Sequence, residues 1–384
     1  MNHLNIVKKH IDHILLGQIL LITAIGMVML YSASSAQSIN LTSGESNSIY
    51  FTAHIKRLII ALGLMTGFIL YDYRKFKRIA LYLVGISFAL LIISLIIKFV
   101  SGSNFPGRWI HIGPLTFQPS DFARLSMIIY LAAYLDINQR KITDFTYGLF
   151  TPISILALIC TLIVLQPDFS TAMVIGCIGF VILFVGGAKI SHLAACGSIA
   201  MIISVPVMML KSYRLQRVIA WLNQDDSSIS TNYQAAQSLI SLGNGGLFGM
   251  GLGESIQKDQ FLPTPHTDFI FAIIGEETGF LGCMILIFLF ILVYRRIIKI
   301  ARECTDPFGI FLSVGIGFNL IFYTFINIAV VTGILPVTGL QIPMVSYGGS
   351  GLVITLSSIG ILLNISQRKR SLVIAERKTR KMYG

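Results

Sequence analysis

Long apolar runs are the feature that most limits what this sequence can fold into. Ten of them recur along the 384 residues, and a run of roughly 18 or more apolar residues can cross a bilayer as one helix. Only 12% of the residues are charged, against about 25% in a typical soluble domain. A soluble protein with buried helices does not need so many runs, so we predict an all-α, polytopic membrane bundle of about ten transmembrane helices.

The predicted bundle is a single membrane domain over residues 1–384. Lys and Arg concentrate in alternate connections, which places both termini in the cytoplasm. A large external loop, residues 211–266, then separates spans seven and eight, and residues 367–384 form a basic cytoplasmic tail. The spans are residues 14–34, 55–71, 78–99, 118–136, 146–166, 169–187, 190–210, 267–293, 306–331 and 345–366.

The net charge of +12 is therefore interpreted as a topology signal. Anionic lipid headgroups explain the basic tail more simply than nucleic acid does, so we predict no nucleic-acid partner. The five cysteines show no paired spacing, which favours neither a disulfide framework nor a zinc site. The first apolar run lacks a small-residue cleavage site and is long enough to span, so no cleavable signal peptide is expected.

Ionisable residues inside spans are costly and are therefore candidate functional groups. Asp121 and Arg124, in "FQPSDFARLSM", lie three residues apart on one helix face and can pair. The pair either holds the bundle together or contacts substrate. Asp168, in "QPDFSTA", either caps the sixth span or lies in a polar cavity.

Two glycine-containing segments are predicted on the outer face. In "GRWIHIGPLTF" (107–117), Trp109 is either an interface anchor or a stacking surface for a sugar. In "TGILPVTGLQIPMVSYGGSGL" (332–352), the glycines and Ser346 allow the backbone to bend near the membrane surface, and Ser346 is a candidate substrate contact. A cavity bordered by such broken helices suits both a transporter and a lipid-active enzyme.

The external loop begins with an amphipathic pattern. Lys211, Arg214 and Arg217 recur at helical spacing beside an apolar stripe, which predicts a helix lying in the membrane interface. These cations either attract headgroups or hold a lipid phosphate or pyrophosphate. The glycine-rich stretch after them lacks the strand and the GK[ST] of a phosphate loop, so we predict a flexible, membrane-hugging loop instead of a nucleotide site.

The stretch "FLPTPHTDFIFAIIGEETGF" (261–280) carries three carboxylates. Thr267 is predicted to cap the eighth span, with Asp268 ionised in its first turn. There Asp268 either serves only as an N-terminal cap, or it accepts a proton from an attacking hydroxyl or holds a divalent cation. His266 beside it is a candidate substrate contact. Glu276 and Glu277 lie deeper and face different sides, so we expect them to have partners elsewhere in the bundle.

Four stretches together resemble the SEDS family (shape, elongation, division and sporulation) of bacterial peptidoglycan glycosyltransferases. They are "HTDFIFAIIGEETGFLG", "LPVTGLQIPMVSYGGSG", "QPDFSTA" and "FQPSDFAR". The resemblance covers nearly the whole chain and all the predicted spans. The stretches "GMVMLYSASSA" and "NIAVVTGILP" are more similar to the division-type members (FtsW) than to the elongation-type members (RodA).

The resemblance implies polymerisation of lipid II, a disaccharide-pentapeptide on undecaprenyl pyrophosphate, on the outer face of the cytoplasmic membrane. A hydroxyl of the acceptor attacks the anomeric carbon of a lipid-linked glycan, and undecaprenyl pyrophosphate leaves. The essential aspartate of the family matches Asp268, with Mg²⁺ or Mn²⁺ as an optional cofactor. A Glu–Lys pair of the family matches Asp121 and Arg124, which differ in type but keep their charges. Implied partners are a class B penicillin-binding transpeptidase and other division proteins at the septum.

Two other functions compete with the polymerase. A lipid II flippase would need polar residues that continue across the bundle to the cytoplasmic side, whereas the polar residues of this sequence concentrate on the predicted outer face. A scaffold that only recruits the transpeptidase would not need Asp268. An elongation-type polymerase is the alternative within the family.

Overall fold

Helices dominate the fold, as the apolar runs predict. The computed structural model describes residues 11–101, 107–112, 115–209, 212–222 and 230–383. The all-α prediction is confirmed with one addition, a short antiparallel hairpin in which Ile110–Ile112 (β1) pairs with Leu115–Phe117 (β2). The helices are α1 (His13–Leu41), α2 (Ile49–Leu70), α3 (Arg74–Ser101), α4 (Pro119–Asn138), α5 (Phe150–Leu165), α6 (Phe169–Val185), α7 (Ile190–Met209), α8 (Ser212–Leu222), α9 (Ser230–Asn244), the short turn α10 (Gln257–Gln260), α11 (Ile270–Arg302), α12 (Pro307–Val331) and α13 (Ser350–Tyr383).

A helix overlaps each of the ten predicted spans. Within the described residues, seven helical segments are long and apolar enough to cross a membrane. They are α1, α2, α3, α5 with the helical turn before it, α11, α12 and the first part of α13. Helices α6 and α7 are shorter apolar segments. Helix α4 is different, because it carries Asp121 and Arg124 and buries most of its side chains inside the bundle.

Several boundaries differ from the sequence prediction. Helix α1 continues past the predicted residue 34 to Leu41, and α11 continues past the predicted residue 293 to Arg302. Helix α2 begins at Ile49, before the predicted residue 55, and α13 begins at Ser350, after the predicted residue 345. Helix α13 then continues through the predicted tail to Tyr383. The predicted external loop 211–266 contains α8, α9 and α10, so much of it is helical.

Helix α11 is broken at Gly279, which has φ 69° and ψ −170°. The connection between α9 and α10 covers the break. The backbone N–H groups of Phe280 and Leu281 donate to the carbonyl oxygens of Gly246 and Leu247. In the other direction, the N–H groups of residues 250 and 251 donate to the carbonyl oxygens of residues 276 and 277. Backbone groups in a bilayer need partners within the protein, so the break and this connection depend on each other.

We expect Gly279→Ala to destabilise the protein by about 2 kcal/mol or more, because its φ is positive and the added Cβ would overlap the backbone of Leu247 and Gly249. The measurement is thermal unfolding in detergent. Gly63→Ala in α2 is the matched control, since a Cβ there meets nothing within 4 Å. An unchanged melting temperature for Gly279→Ala would contradict the role of the break.

Candidate active site

A polar cavity brings together residues that are distant in sequence. It holds about 100 Å³ of water-accessible space between the β hairpin, α4, α6, α12, residues 339–348 and the start of α13. Five of the predicted site residues line it, namely Trp109, Asp121, Arg124, Asp168 and Ser346. The sequence identified them separately, and the fold places them around one space.

Asp121 and Arg124 form the ion pair that their spacing predicts. Arg124 Nη2 lies 3.3 Å from Asp121 Oδ1, and both side chains are nearly inaccessible. Ser350 Oγ donates to Asp121 Oδ2 at 2.7 Å, and the Arg124 guanidinium lies 4.3 Å from the ring centroid of Tyr323. A buried pair is tolerated only when both charges have such partners. The pair therefore joins α4 to α12 and α13 while forming part of the cavity wall.

Asp168 combines the two roles that the sequence left open. Its Oδ1 accepts from the backbone N–H of Thr171 at 3.4 Å, so it caps α6. Its Oδ2 accepts from Gln118 Nε2 at 2.9 Å and from Ser120 Oγ at 3.4 Å, and the residue lines the cavity. Ser346 also has a structural bond, since its Oγ accepts from the N–H of Ile342 at 3.0 Å. The cavity wall is therefore held in place by its own polar groups.

Sequence reasoning missed several cavity residues. Exposed Arg108 lines the cavity next to Trp109, as do Gln118, Asn319, Tyr323 and Gln341. Arg108 had a usable signal, because it lies in the same glycine-bounded stretch as Trp109. Asn319 and Tyr323 are on one face of α12, a helix whose predicted role was only to span.

The cations of α8 do not line the cavity. Arg214 Nη2 donates to the carbonyl of Val164 and Arg217 Nη1 donates to that of Val337, both at 3.2 Å. These bonds tie α8 to the last turn of α5 and to the segment before α13, whose carbonyl groups would otherwise need other donors. The third predicted cation, Lys211, lies outside the described residues.

Asp268 lies just before α11, not inside it. Helix α11 begins at Ile270, with no side-chain cap, so the predicted cap by Thr267 is wrong. Thr267 Oγ1 instead donates to Asp268 Oδ1 at 2.7 Å and to the carbonyl of Thr264. Two proline-stiffened turns precede this point and delay the helix.

Burial, rather than a helix dipole, controls the protonation of Asp268. Burial raises the pKa of its carboxyl, and the Thr267 hydrogen bond and the charge of Arg217 partly oppose that rise. A Cβ built on Gly339 would lie 3.8 Å from Asp268 Oδ2, and Gly339 lines the cavity. Asp268 is thus not part of the cavity lining, but its carboxylate lies beside Gly339, which is, and its proton affinity is raised.

His266 packs beside Asp268 without lining the cavity. Its side chain is 3% exposed, and its ring centroid lies 4.3 Å from that of Tyr50 and 5.3 Å from that of Tyr347. Burial lowers the pKa of His266 to about 4, so the ring is neutral at pH 7. The N–H of Tyr347 donates to the His266 carbonyl at 2.8 Å. His266 therefore connects the segment before α11 to α2 and to the segment before α13.

Glu277 is one of the two deeper acids that hold the α9–α10 connection. It forms an ion pair with Lys258, with Lys258 Nζ 3.0 Å from Oε1, and Ser32 of α1 donates to the same oxygen. The Lys258 ammonium also donates to Ser32 Oγ and to the carbonyl of Gly253. The pair is almost fully buried, and it joins α1, α10 and α11.

Glu276 uses neutral partners instead. It accepts hydrogen bonds from Ser241 of α9, from Ser255 and, at 3.4 Å, from Asn244. The two adjacent acids point to different sides of α11, as the sequence predicts. Both bind parts of the loop that precedes Asp268.

We expect Lys258→Met to destabilise the protein by about 3–5 kcal/mol, because it leaves the Glu277 carboxylate buried and unpaired. The double variant Lys258→Met/Glu277→Gln should recover most of that loss. Thermal unfolding of both variants measures the difference. Arg74→Met is the control, since its pair with Asp306 is half exposed and should matter by less than about 1 kcal/mol. Equal losses in single and double variants would contradict this account.

Asp268 is the residue to consider as a cation ligand. No group of three or more His, Cys, Asp or Glu side chains that could hold a metal occurs among the described residues. The described side chains therefore do not form a complete metal site by themselves. Mg²⁺ is nevertheless often held by one or two carboxylates together with substrate phosphates, and Asp268 fits that limited role.

Comparison with known proteins matches nearly the whole chain. The model of the FtsW/RodA/SpoVE family, described as cell cycle proteins, matches residues 12–371. Stage V sporulation protein E of Bacillus subtilis is 37% identical and the match covers 94% of this chain and 99% of that protein. A probable peptidoglycan glycosyltransferase FtsW of Geobacter sulfurreducens is 36% identical, with 93% of this chain and 95% of that protein covered.

Solved structures agree with this match. A chain from a structure titled as a peptidoglycan synthase complex that coordinates polymerization and crosslinking superposes with a TM-score of 0.77 at 28% identity, covering 94% of this chain and 98% of that one. The rod shape determining protein RodA of Thermus thermophilus superposes with a TM-score of 0.69 at 26% identity, covering 94% of this chain and 97% of RodA. The shared architecture therefore extends over the cavity and the Asp268 segment.

Proposed function

Because this chain belongs to the FtsW/RodA/SpoVE family of cell cycle proteins, we propose a reaction and a set of residue roles for its cavity. The chain is a multi-pass membrane protein and a peptidoglycan glycosyltransferase. Its substrate in this proposal is lipid II, which it polymerises into glycan strands. The observation that carries the assignment of the site is the Asp268 carboxylate, which lies beside Gly339 of a polar cavity. Among the described residues, the two carboxylates that line the cavity, Asp121 and Asp168, already have charged or polar partners.

Asp268 acts as the general base in this proposal. The acceptor hydroxyl transfers its proton to the Asp268 carboxylate as its oxygen forms a bond to the anomeric carbon of the donor glycan. The bond from that carbon to the lipid pyrophosphate breaks, and the pyrophosphate leaves with the electron pair. A carboxylate whose pKa is raised by burial is a better base than an exposed one, which favours this role.

Arg108 is the cation of the cavity that binds the leaving pyrophosphate. Arg108 is exposed at the cavity wall, and a guanidinium can bind a pyrophosphate through two hydrogen bonds. Arg124 is already paired with Asp121, so we assign it to the wall and not to the leaving group. Trp109, beside Arg108, offers an aromatic face to a sugar ring. A divalent cation held by Asp268 and the substrate phosphates would add electrostatic stabilisation of the pyrophosphate.

The predicted orientation agrees with this chemistry. Lys and Arg concentrate at the opposite end of the bundle from the cavity, so we propose that the cavity faces outward from the bacterial cytoplasmic membrane and both termini lie inside. We further propose that the protein works at the division septum with a class B penicillin-binding transpeptidase. Similarity to proteins named FtsW supports the septal location. Similarity to a chain of a peptidoglycan synthase complex supports the transpeptidase partner.

A lipid II flippase is less favoured by the interior of the bundle. Beyond Arg124, the space between α4 and α6 is lined by apolar residues such as Met127, Leu131 and Ile178. A headgroup with sugars and a pyrophosphate would need polar partners along that path. The space between α4 and α6 therefore offers no polar path from the cavity and supports chemistry at one membrane face.

We expect Asp268→Asn to reduce polymerisation of lipid II by about 100-fold or more, because an amide cannot accept the proton. A gel assay of glycan products, with purified protein, its cognate transpeptidase and lipid II, measures the change. Glu45→Gln is the control, since Glu45 is an exposed acid in the connection between α1 and α2. Full activity of Asp268→Asn would refute the proposed base, and the same assay with a chelator tests the cation.

The rate should also fall at low pH in a way that identifies Asp268. The base must be deprotonated, and its raised pKa places the loss of activity at higher pH than the value of about 4 for an ordinary aspartate. Thr267→Val removes the hydrogen bond that lowers this pKa, so it should move the loss to still higher pH. Rate measurements across pH test this, with Thr332→Val as control. An unmoved profile would argue against Asp268 as the titrating group.

A further inference from the structure

A single buried amide connects Asp268 to the cavity wall. Asn327, on α12, is 1% exposed. Its Nδ2 donates to the backbone carbonyl of Asp268 at 2.6 Å and to that of Leu340 at 2.7 Å. The two hydrogens of one NH₂ group can serve both carbonyls at once, so the side chain bridges two segments that are far apart in sequence.

The two bridged segments lie in different parts of the chain, one just before α11 and one in the cavity wall. Asp268 is in the turn before α11, whereas Leu340 lines the cavity in the segment before α13. Both are irregular, and carbonyl groups in irregular buried backbone need donors from elsewhere. A neighbouring bond, from the Tyr347 N–H to the His266 carbonyl, joins the same two segments. The side chain of Asn327 thus holds the backbone of Asp268 directly against the cavity wall.

In the described part of the chain, the carbonyl oxygen of the Asn327 amide does not form a corresponding hydrogen bond. Among the described residues, no group donates a hydrogen bond to Asn327 Oδ1, although that atom is buried. Burying an unpaired polar atom costs free energy, so an amide here is a poor choice for stability alone. The cost is explained if the NH₂ group of Asn327 is needed to hold the two backbone segments in position.

We propose that Asn327 is a positioning residue that sets the distance between the Asp268 carboxylate and the substrate cavity. This inference rests on the proposed role of Asp268 as the base. Asn327 does not touch the reacting atoms and acts only through the backbone of Asp268. A displacement of about 1 Å in a reacting group can reduce a rate by about 100-fold, so two bonds at this point matter for turnover.

Two variants test the proposal. Asn327→Leu keeps a similar volume and removes both donors, and Asn327→Asp keeps the shape with at most one donor. Each should lower kcat for lipid II polymerisation by about 10- to 100-fold, while KM changes by less than about threefold because the cavity itself is intact. Hydrogen–deuterium exchange should become faster in residues 262–268 and 339–347.

Thr324→Val is the matched control. Thr324 is a fully buried polar residue of α12, and within the described part of the chain its hydroxyl bonds only to the Leu320 carbonyl of its own helix. This variant should leave kcat, KM and exchange in both segments unchanged. It shows how much of any change comes from altering a buried polar group of α12.

The outcomes separate this inference from the role of Asp268. Asp268→Asn is measured in the same series. If it is inactive while the Asn327 variants keep wild-type kcat, or if exchange in the two segments does not change, the positioning role is refuted and the base remains. If Asp268→Asn is active, the base itself is wrong, and the positioning role is refuted with it. Slower turnover with faster exchange in both segments, and neither in Thr324→Val, supports the inference.

Discussion

The break of α11 at Gly279 is the constraint on which the site depends. Hydrocarbon offers no hydrogen-bond partners, so the backbone groups that a broken helix releases must be satisfied by the protein. The connection between α9 and α10 satisfies them by pairing with both sides of the break. The chain that leads to Asp268 is therefore anchored inside the bundle. The bonds from Asn327 and Tyr347 then hold the segment before α11 against the cavity wall.

The three carboxylates of residues 261–280 have different roles. Glu277 pairs with Lys258 and Glu276 accepts bonds from serine hydroxyls, so both acids fasten the loop that precedes Asp268. Neither is available to react, because both side chains are almost fully buried, although Glu277 Oε2 has no hydrogen-bond partner among the described residues. Asp268 lies beside the cavity, where burial raises its pKa and Thr267 donates a hydrogen bond to it. The two deeper acids thus hold the loop that leads to the proposed base.

The cavity explains how a membrane protein can transfer sugars without a nucleotide. A lipid-linked donor is already activated, so the site needs a base, a place for a pyrophosphate and a polar wall. In the proposed reaction, Asp268, Arg108 and the Asp121–Arg124 pair would supply these at one end of the bundle. The space beyond Arg124, between α4 and α6, is lined by apolar residues. This asymmetry supports the proposed reaction at one membrane face.

The sequence by itself determined the helical membrane class, the Asp121–Arg124 pairing and the candidates around the cavity, because apolar length and helical spacing are local properties. The short sequence motifs were also sufficient to identify the family. Only the tertiary structure decided that Arg214 and Arg217 bind backbone carbonyls, that Thr267 bonds to Asp268 rather than capping α11, and that Lys258 is the partner of Glu277. The bridge made by Asn327 was equally invisible. Each of these contacts depends on which buried backbone or side-chain group lacks a partner, and that is known only once distant segments have packed together.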